Sequence, residues 1–320
     1  MKAAIRSRYG PPSVLSIQEV ERPTPKDNEI LIRVYAATVN RTDCHILSAK
    51  PFPMRFFTGL LKPKLSSTGT DFAGRIEAVG KYVSGFKVGD RIWGFRSFGI
   101  GSHAEYIALS ENGPLTTIPD GISYEEAAAS AEGAFYAYNS FKRIRVKAGD
   151  RALVNGATGA IGSAAVQLFK YFGAHVTAVG NTENLELMKS LGADRVIDYM
   201  KEDFTQDDQQ YHFIMDAVGK SSFSNCKSLL YPHGIYTSSG GAENFYLPLI
   251  TRLGGNKRVV FGMPTDIKGG LTFIRSLLEK KQFRPLIDKR YPLEEIAEAF
   301  NYVASGQKTG NVILNLQDKR

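Results

Sequence analysis

The feature that most constrains this chain is the run Gly156-Ala157-Thr158-Gly159-Ala160-Ile161-Gly162, set between an apolar strand and an apolar helix. Asp150–Asn155 (DRALVN) reads as the strand, and Ser163–Tyr171 places its apolar residues at helical spacing. Small residues at such a junction let the backbone approach a bound group closely. The helix start then offers aligned N–H donors to an anion. In that context the run reads as a dinucleotide-binding turn, the alternative being a tight turn in an unrelated α/β protein.

The rest of the chain supplies two kinds of pattern. The first third reads as short strands between Pro and Gly clusters, over Glu29–Ala37, Phe72–Val79, Asp90–Phe95 and His103–Leu109, which fits a β-rich, barrel-like module. From Tyr124 helical segments alternate with β-branched runs at Ala152–Asn155, His175–Val179, Arg195–Asp198, Phe213–Asp216, Gly234–Thr237 and Val259–Phe261. That alternation predicts a doubly wound parallel sheet covered on both faces. After Pro264 come helical stretches at Leu271–Lys281 and Leu293–Ala304 and a strand at Asn311–Leu316, a tail too short for a domain of its own. The expected organisation of the 320 residues is a first module over 1–123, a dinucleotide domain over 124–264, and a return segment over 265–320 that packs on the first module.

Composition narrows the setting. Only Cys44 and Cys226 are present, so no disulfide framework is expected. Met1–Arg8 alternates like a strand and leaves no room for a signal peptide, and no apolar run has membrane-spanning length. A cytoplasmic location and no membrane partner are the expectation. The net charge of +8 suits an anionic ligand, while the basic stretch Lys142–Lys147 alternates with apolar residues and reads as a solvated face, so no nucleic acid partner is expected.

The second strand, His175–Val179, ends in Gly180-Asn181-Thr182, where an acidic residue would hold the ribose 2′-hydroxyl of NAD. Asn181 and Thr182 offer hydrogen-bond donors to a 2′-phosphate instead. NADPH is the expected cofactor, with NADH possible because Asn and Thr also accept a hydroxyl.

Val39–Asp43 (VNRTD), Gly69–Gly74 (GTDFAG), Val83–Arg91 (VSGFKVGDR), His103–Tyr106 (HAEY), Gly156–Gly162, Leu191–Asp194 (LGAD) and Asp216–Gly219 (DAVG) together resemble the medium-chain dehydrogenase/reductase superfamily, in its zinc-free quinone oxidoreductase (zeta-crystallin-like) branch. The resemblance covers nearly the whole chain. It implies a GroES-like β-barrel catalytic domain joined to a Rossmann domain. It also implies reduction of a quinone or an α,β-unsaturated carbonyl by NADPH, and a homodimer that pairs Rossmann sheet edges, with Val259–Phe261 as the candidate edge.

Zinc-dependent relatives carry Cys at the position of Asn40 and a His-Glu pair at Thr70-Asp71, so no zinc site is expected. The other nearby donors are Asp43, Cys44 and His45, the last two adjacent and expected on an extended segment. Without a Lewis acid the chemistry favours an acceptor that spreads the incoming charge onto its own oxygen.

By resemblance Asn40 lies near the nicotinamide, or else satisfies a turn; His45 donates a proton, or is an exposed loop residue. On the cofactor side the resemblance points to Gly156, Ala157, Thr158, Gly159, Ala160, Ile161 and Gly162 for the pyrophosphate. Asn181, Thr182 and Tyr199 are expected beside the adenosine phosphate, Val218 and Gly219 beside adenine or ribose, and Ser239, Gly240, Phe261 and Met263 toward the nicotinamide; Phe261 and Met263 could equally be core. Asn184 stands where relatives commonly have Lys, and Asn311 is counted on the cofactor side near a position where they carry a basic residue. Pro51–Leu61 (PFPMRFFTGLL) reads as a roof over an apolar pocket, or as a loop packed on its own domain or a second subunit. The competing functions are an enoyl-thioester reductase and, outside enzymes, a cofactor-binding structural or RNA-binding protein.

Overall fold

The computed structural model describes residues 1–241, 243–254, 256–262 and 264–317. It divides into two compact units, one made of Met1–Glu132 with the return segment that begins at Asp266, the other of Gly133–Thr265.

The first segment carries strands β1 (Lys2–Ile5), β2 (Ser16–Glu19), β3 (Glu29–Val39), β4 (Asp71–Val79), β5 (Arg91–Phe95), β6 (Tyr106–Ser110) and β7 (Leu115–Thr117), with helices α1 (Arg41–Ser48), α2 (Met54–Thr58) and α3 (Tyr124–Ala129). The middle runs α4 (Glu132–Phe141), β8 (Arg151–Asn155), α5 (Ala160–Tyr171), β9 (His175–Gly180), α6 (Leu185–Ser190), β10 (Arg195–Asp198), β11 (Tyr211–Asp216), α7 (Phe223–Cys226), β12 (Leu230–Ser238), α8 (Glu243–Gly254) and β13 (Arg258–Val259). The return segment adds α9 (Ile267–Glu279), β14 (Ile287–Pro292), α10 (Ile296–Ser305) and β15 (Asn311–Asn315).

In the first unit a sheet runs in the order β14-β15-β3-β4-β5-β7, with β6 also paired to β3. Along β3 the alternating Ile30, Ile32 and Val34 are fully buried and meet Phe72, Ile76 and Ile92 in one core. Strand β15 pairs antiparallel with β3, from Val312 opposite Val39 to Asn315 opposite Ala36. Helix α10 adds Ile296, Ala299, Phe300 and Val303 to the same core, a spacing of three and four that defines one helical face. The tail is therefore an integral part of the first unit. Helix α3 also belongs there: Tyr124 stacks on Tyr35 with ring centroids 4.4 Å apart, so the division falls at Glu132/Gly133 rather than after residue 123.

The second unit is a parallel sheet in the order β10-β9-β8-β11-β12-β13. Its strands are buried almost along their whole length, as a sheet covered on both faces requires. Strand order reverses between β8 and β11, and ligands of doubly wound sheets bind outside the carboxyl ends of the strands at that switch.

Several local readings change. The strand expected from His103 begins at Tyr106, because the backbone of His103 and Glu105 is bonded to the N-terminal strand, Ala4 N donating to His103 O and Glu105 N to Lys2 O. The last strand is only Arg258–Val259, at the sheet edge. Cys44 and His45 lie on α1 rather than on an extended segment, because Asn40 and Asp43 form a reciprocal cap that starts a helix there. Part of the Pro51–Leu61 stretch is helix α2. Among the described residues no helix is long and apolar enough to cross a membrane.

Candidate functional site

In the second unit, β8 ends at the switch point and delivers the Gly-rich turn to the start of α5. The three glycines serve different ends. Gly156 adopts φ +74, and a Cβ there would sit 2.4 Å from Val218 Cγ1. At Gly162 a Cβ would lie 2.1 Å from the Gly156 carbonyl oxygen. Both are glycine for the fold. A Cβ on Gly159, by contrast, would meet only the Gly156 oxygen at 3.5 Å, an ordinary contact. Gly159 is the N-cap of α5, whose start has no side-chain cap, so the first amides of the helix are open to an incoming anion. Ala157 is fully buried, and its amide donates to Val179 O at 3.0 Å. The residues Gly156–Gly162 thus fit a pyrophosphate.

Asp216, at the end of β11, organises the neighbouring turn. Its carboxylate accepts from Asn155 Nδ2 and Gly219 N, each at 3.0 Å, and from Ser221 N at 2.8 Å. This leaves Val218 45% exposed beside Gly156. Ser239 is exposed just past β12, its amide donating to Asp216 O at 2.9 Å, with half-buried Gly240 after it. Phe261 is half-buried beyond β13, and Met263 lies outside the described residues.

At the ends of β9 and β10 the donor set differs from the sequence expectation. Asn181 Oδ1 accepts from Asn184 Nδ2 at 2.5 Å, and Thr182 Oγ1 donates to Asp198 Oδ2 at 2.6 Å. The Thr182 proton is therefore committed to a carboxylate that arrives from β10, a neighbour invisible in the local sequence. Asp198 is held below the ordinary carboxylate range, first by this Thr182 bond. Tyr199 is 52% exposed, and Lys201 Nζ stands 3.6 Å from Asp198, a cation that sequence reasoning missed.

The first unit holds a buried hydrogen-bond chain around Asn40. Asn40 Oδ1 accepts from Asp43 N at 2.9 Å, and its Nδ2 donates to Thr70 Oγ1 at 2.8 Å. Thr70 donates to Glu132 Oε2 at 2.9 Å, and Thr42 donates to Glu132 Oε1. Asp71, one residue on, accepts from Thr38 N at 2.6 Å. Burial drives the pKa of Asp43 and of Asp71 well above the ordinary carboxylate range, with Glu132 adding to both. Burial likewise pushes the Glu132 carboxyl up to about 7, and pushes the Lys308 ammonium, whose field acts on Glu132, down to about 8. His103 is fully buried between Thr68 and the Thr38 carbonyl, and burial pushes it down to about 4, so it is a neutral brace. Glu132 and Lys308 escaped the sequence reading, since nothing adjacent marks them, and His103 enters it only as part of the HAEY stretch, with no place in this hydrogen-bond chain.

Asn40 therefore caps α1 and links Asp43 to Thr70. His45 is exposed on α1, and desolvation with nearby Arg41 lowers its pKa, which makes the neutral ring dominant at pH 7 and a poor proton store. Asn311 lies in β15 of the first unit, buried, its amide donating to Leu286 O at 3.0 Å. In the aromatic stretch, Phe57 stacks on Phe98 with centroids 4.5 Å apart, while Phe52 and Phe56 are 62% and 65% exposed. Where zinc ligands would stand, Asn40 and Thr70 bond to each other; among the described residues no group of three or more His, Cys, Asp or Glu could hold a metal ion. The donor set does not fit zinc.

Residues 26–120 match the alcohol dehydrogenase GroES-like domain family, and residues 191–314 match the zinc-binding dehydrogenase family. The chain is 31% identical to a quinone oxidoreductase of Sus scrofa over 99% of this chain and 98% of that protein. It is 30% identical to the chloroplastic NADPH-dependent alkenal/one oxidoreductase of Arabidopsis thaliana over 98% of this chain and 79% of the relative. The solved quinone oxidoreductase from Coxiella burnetii shares the fold with a TM-score of 0.89, at 24% identity over 99% of both chains. With a GroES-like first unit, a dinucleotide-binding Rossmann second unit and these relatives, the chain belongs to the medium-chain dehydrogenase/reductase superfamily, in its zinc-free quinone oxidoreductase branch.

Proposed function

We propose that this protein reduces quinones or α,β-unsaturated carbonyl compounds with NADPH. The observation that carries the reading is Gly159, a glycine that no protein neighbour requires, at the uncapped start of α5. The activities named for the 30–31% identical relatives supply the acceptor class. Bound NADPH would supply hydride to the acceptor.

Hydride addition to a quinone or enone leaves charge on the acceptor's oxygen, and a proton must follow. Glu132, poised near 7, is the group best matched to store it. When Glu132 is protonated it donates to Thr70 Oγ1, and the Thr70 hydroxyl hydrogen, released from Glu132, is free to turn toward an acceptor oxygen rather than toward Asn40 Nδ2, which is itself a donor. Asn40 fixes that hydroxyl through its 2.8 Å bond. For cofactor choice, Tyr199 and Lys201 favour a 2′-phosphate, and Asp198 opposes it. A homodimer paired through the edge at Arg258–Val259 and a cytoplasmic setting belong to the same reading.

The test is NADPH oxidation with menadione, a short alkenal and crotonyl thioester, using wild type and Glu132→Gln. Menadione or alkenal turnover, with a pH profile that changes in the variant, is the expected result. Turnover of the thioester alone would instead make the chain an enoyl-thioester reductase.

A further inference from the structure

The first unit contains a pocket of about 260 Å³ that the hydrogen-bond chain above does not use. Arg6, Lys64 and Arg96 line it, with Ile46 and the stacked pair Phe57 and Phe98, and no carboxylate is among the lining side chains. Arg6 is only 3% exposed. Its Nη1 donates to Ile46 O at 2.6 Å, and its Nε is buried with no hydrogen-bond partner. Lys64 and Arg96 are exposed, and among the described residues none of the three cations is in an ion pair.

Burying Arg6 in this way is costly without a ligand. A buried guanidinium is normally paired, since removing a charge from water is unfavourable unless an opposite charge or full hydrogen bonding compensates. The groups that act on Arg6 are Tyr9, whose ring lies 5.4 Å from the guanidinium carbon, and Asp43, whose own carboxyl burial drives toward the neutral form. The positive charge at the pocket therefore lacks a protein counterion. Beside it, Phe57 and Phe98 are 55% and 41% exposed and stack on each other at an interplanar angle of 8°, which leaves the outer face of the pair for a further ring. A planar anion beside guanidinium groups and a flat ring against this face are the chemistry these side chains select.

We propose that this pocket binds a small aromatic carboxylate, its ring extending the Phe57–Phe98 stack and its carboxylate toward Arg6, Lys64 and Arg96. The volume lies below the roughly 300–1,000 Å³ of sites for drug-sized ligands, which limits the body to one or two rings. Binding does not depend on the reductase reading; preference for acidic acceptors rests on it.

Calorimetric titration of the full chain with naphthoate and with neutral naphthamide tests the binding. Naphthoate is expected to bind at least tenfold more tightly than naphthamide, with affinity that falls as salt rises. The double variant Lys64→Gln/Arg96→Gln should bring naphthoate to the naphthamide level, and Phe57→Ala should weaken both. Because both cations are exposed, the double variant tests the charge without relying on Arg6→Gln, which could fail to fold. Equal binding of acid and amide, absence of binding by either, or an unchanged double variant would overturn the proposal. In a second arm, kcat/KM for benzoylacrylate is compared with that for its methyl ester. A preference for the acid that the double variant abolishes extends the site to the acceptor. Reduction of both at equal rate sinks that extension and leaves the reductase intact; naphthoate binding without reduction of either does the reverse.

Discussion

Thr182 Oγ1 donates to Asp198 Oδ2 at 2.6 Å, joining the exit of β9 to the end of β10. Lys201 Nζ stands 3.6 Å from this carboxylate as the opposing charge, and in the proposed function the pair faces the 2′-phosphate of NADPH. Asp198→Asn should tighten NADPH about threefold to tenfold while changing NADH little, because it removes one like-charge repulsion that Lys201, 3.6 Å away, already offsets in part. Lys201→Ala should weaken NADPH by a similar factor. Fluorescence titration with both cofactors measures each shift.

The glycines of the turn separate folding from binding. Gly159→Ala should weaken NADPH at least tenfold, with a stability loss of no more than about 1 kcal/mol from the poorer N-cap. Gly156→Ala should instead cost about 1–2 kcal/mol from its left-handed backbone alone, with the Val218 clash adding to it. Urea unfolding beside cofactor titration distinguishes the two.

Glu132 makes stability depend on pH. Its folded pKa of about 7 exceeds the ordinary 4.5, so the folded state holds the proton more tightly. The favourable contribution is complete below about 4.5 and is lost as pH rises to about 7, a difference of about 3 kcal/mol. Glu132→Gln should flatten this decline between pH 5 and 8, as urea unfolding at several pH values would register. A variant whose stability falls with pH as steeply as wild type would show that Glu132 is ionised throughout.

Phe300 ties the return segment to the first unit from a fully buried position on α10. Phe300→Ala should destabilise the protein by about 3–5 kcal/mol, a loss that thermal unfolding resolves.

The legible parts of the molecule were those encoded locally. The turn at Gly156–Gly162 and the strand–helix alternation around it can be read residue by residue, because backbone shape and burial act over short distances. So can the return of Asn311–Asn315, whose continuous apolar run needs a covered sheet position. What stayed hidden depends on contacts between distant segments. Glu132 lies 62 positions from the Thr70 that bonds it, and Asp198 lies 16 from Thr182. Asn311 looked available in sequence, yet its amide is held by Leu286 across a strand pair. Lys64 and Arg96, 32 positions apart, become one feature only in the pocket that they line with Phe57 and Phe98.

The most direct measurement of the central claim is NADPH oxidation by the purified chain with menadione or an alkenal, run beside an RNA gel shift. Turnover with a KM for NADPH that Gly159→Ala raises at least tenfold while the protein stays folded is the predicted result. Tight NADPH binding with no turnover of any quinone, enone or thioester, together with a retarded RNA, would contradict it and make the chain a binding protein that kept the dinucleotide turn.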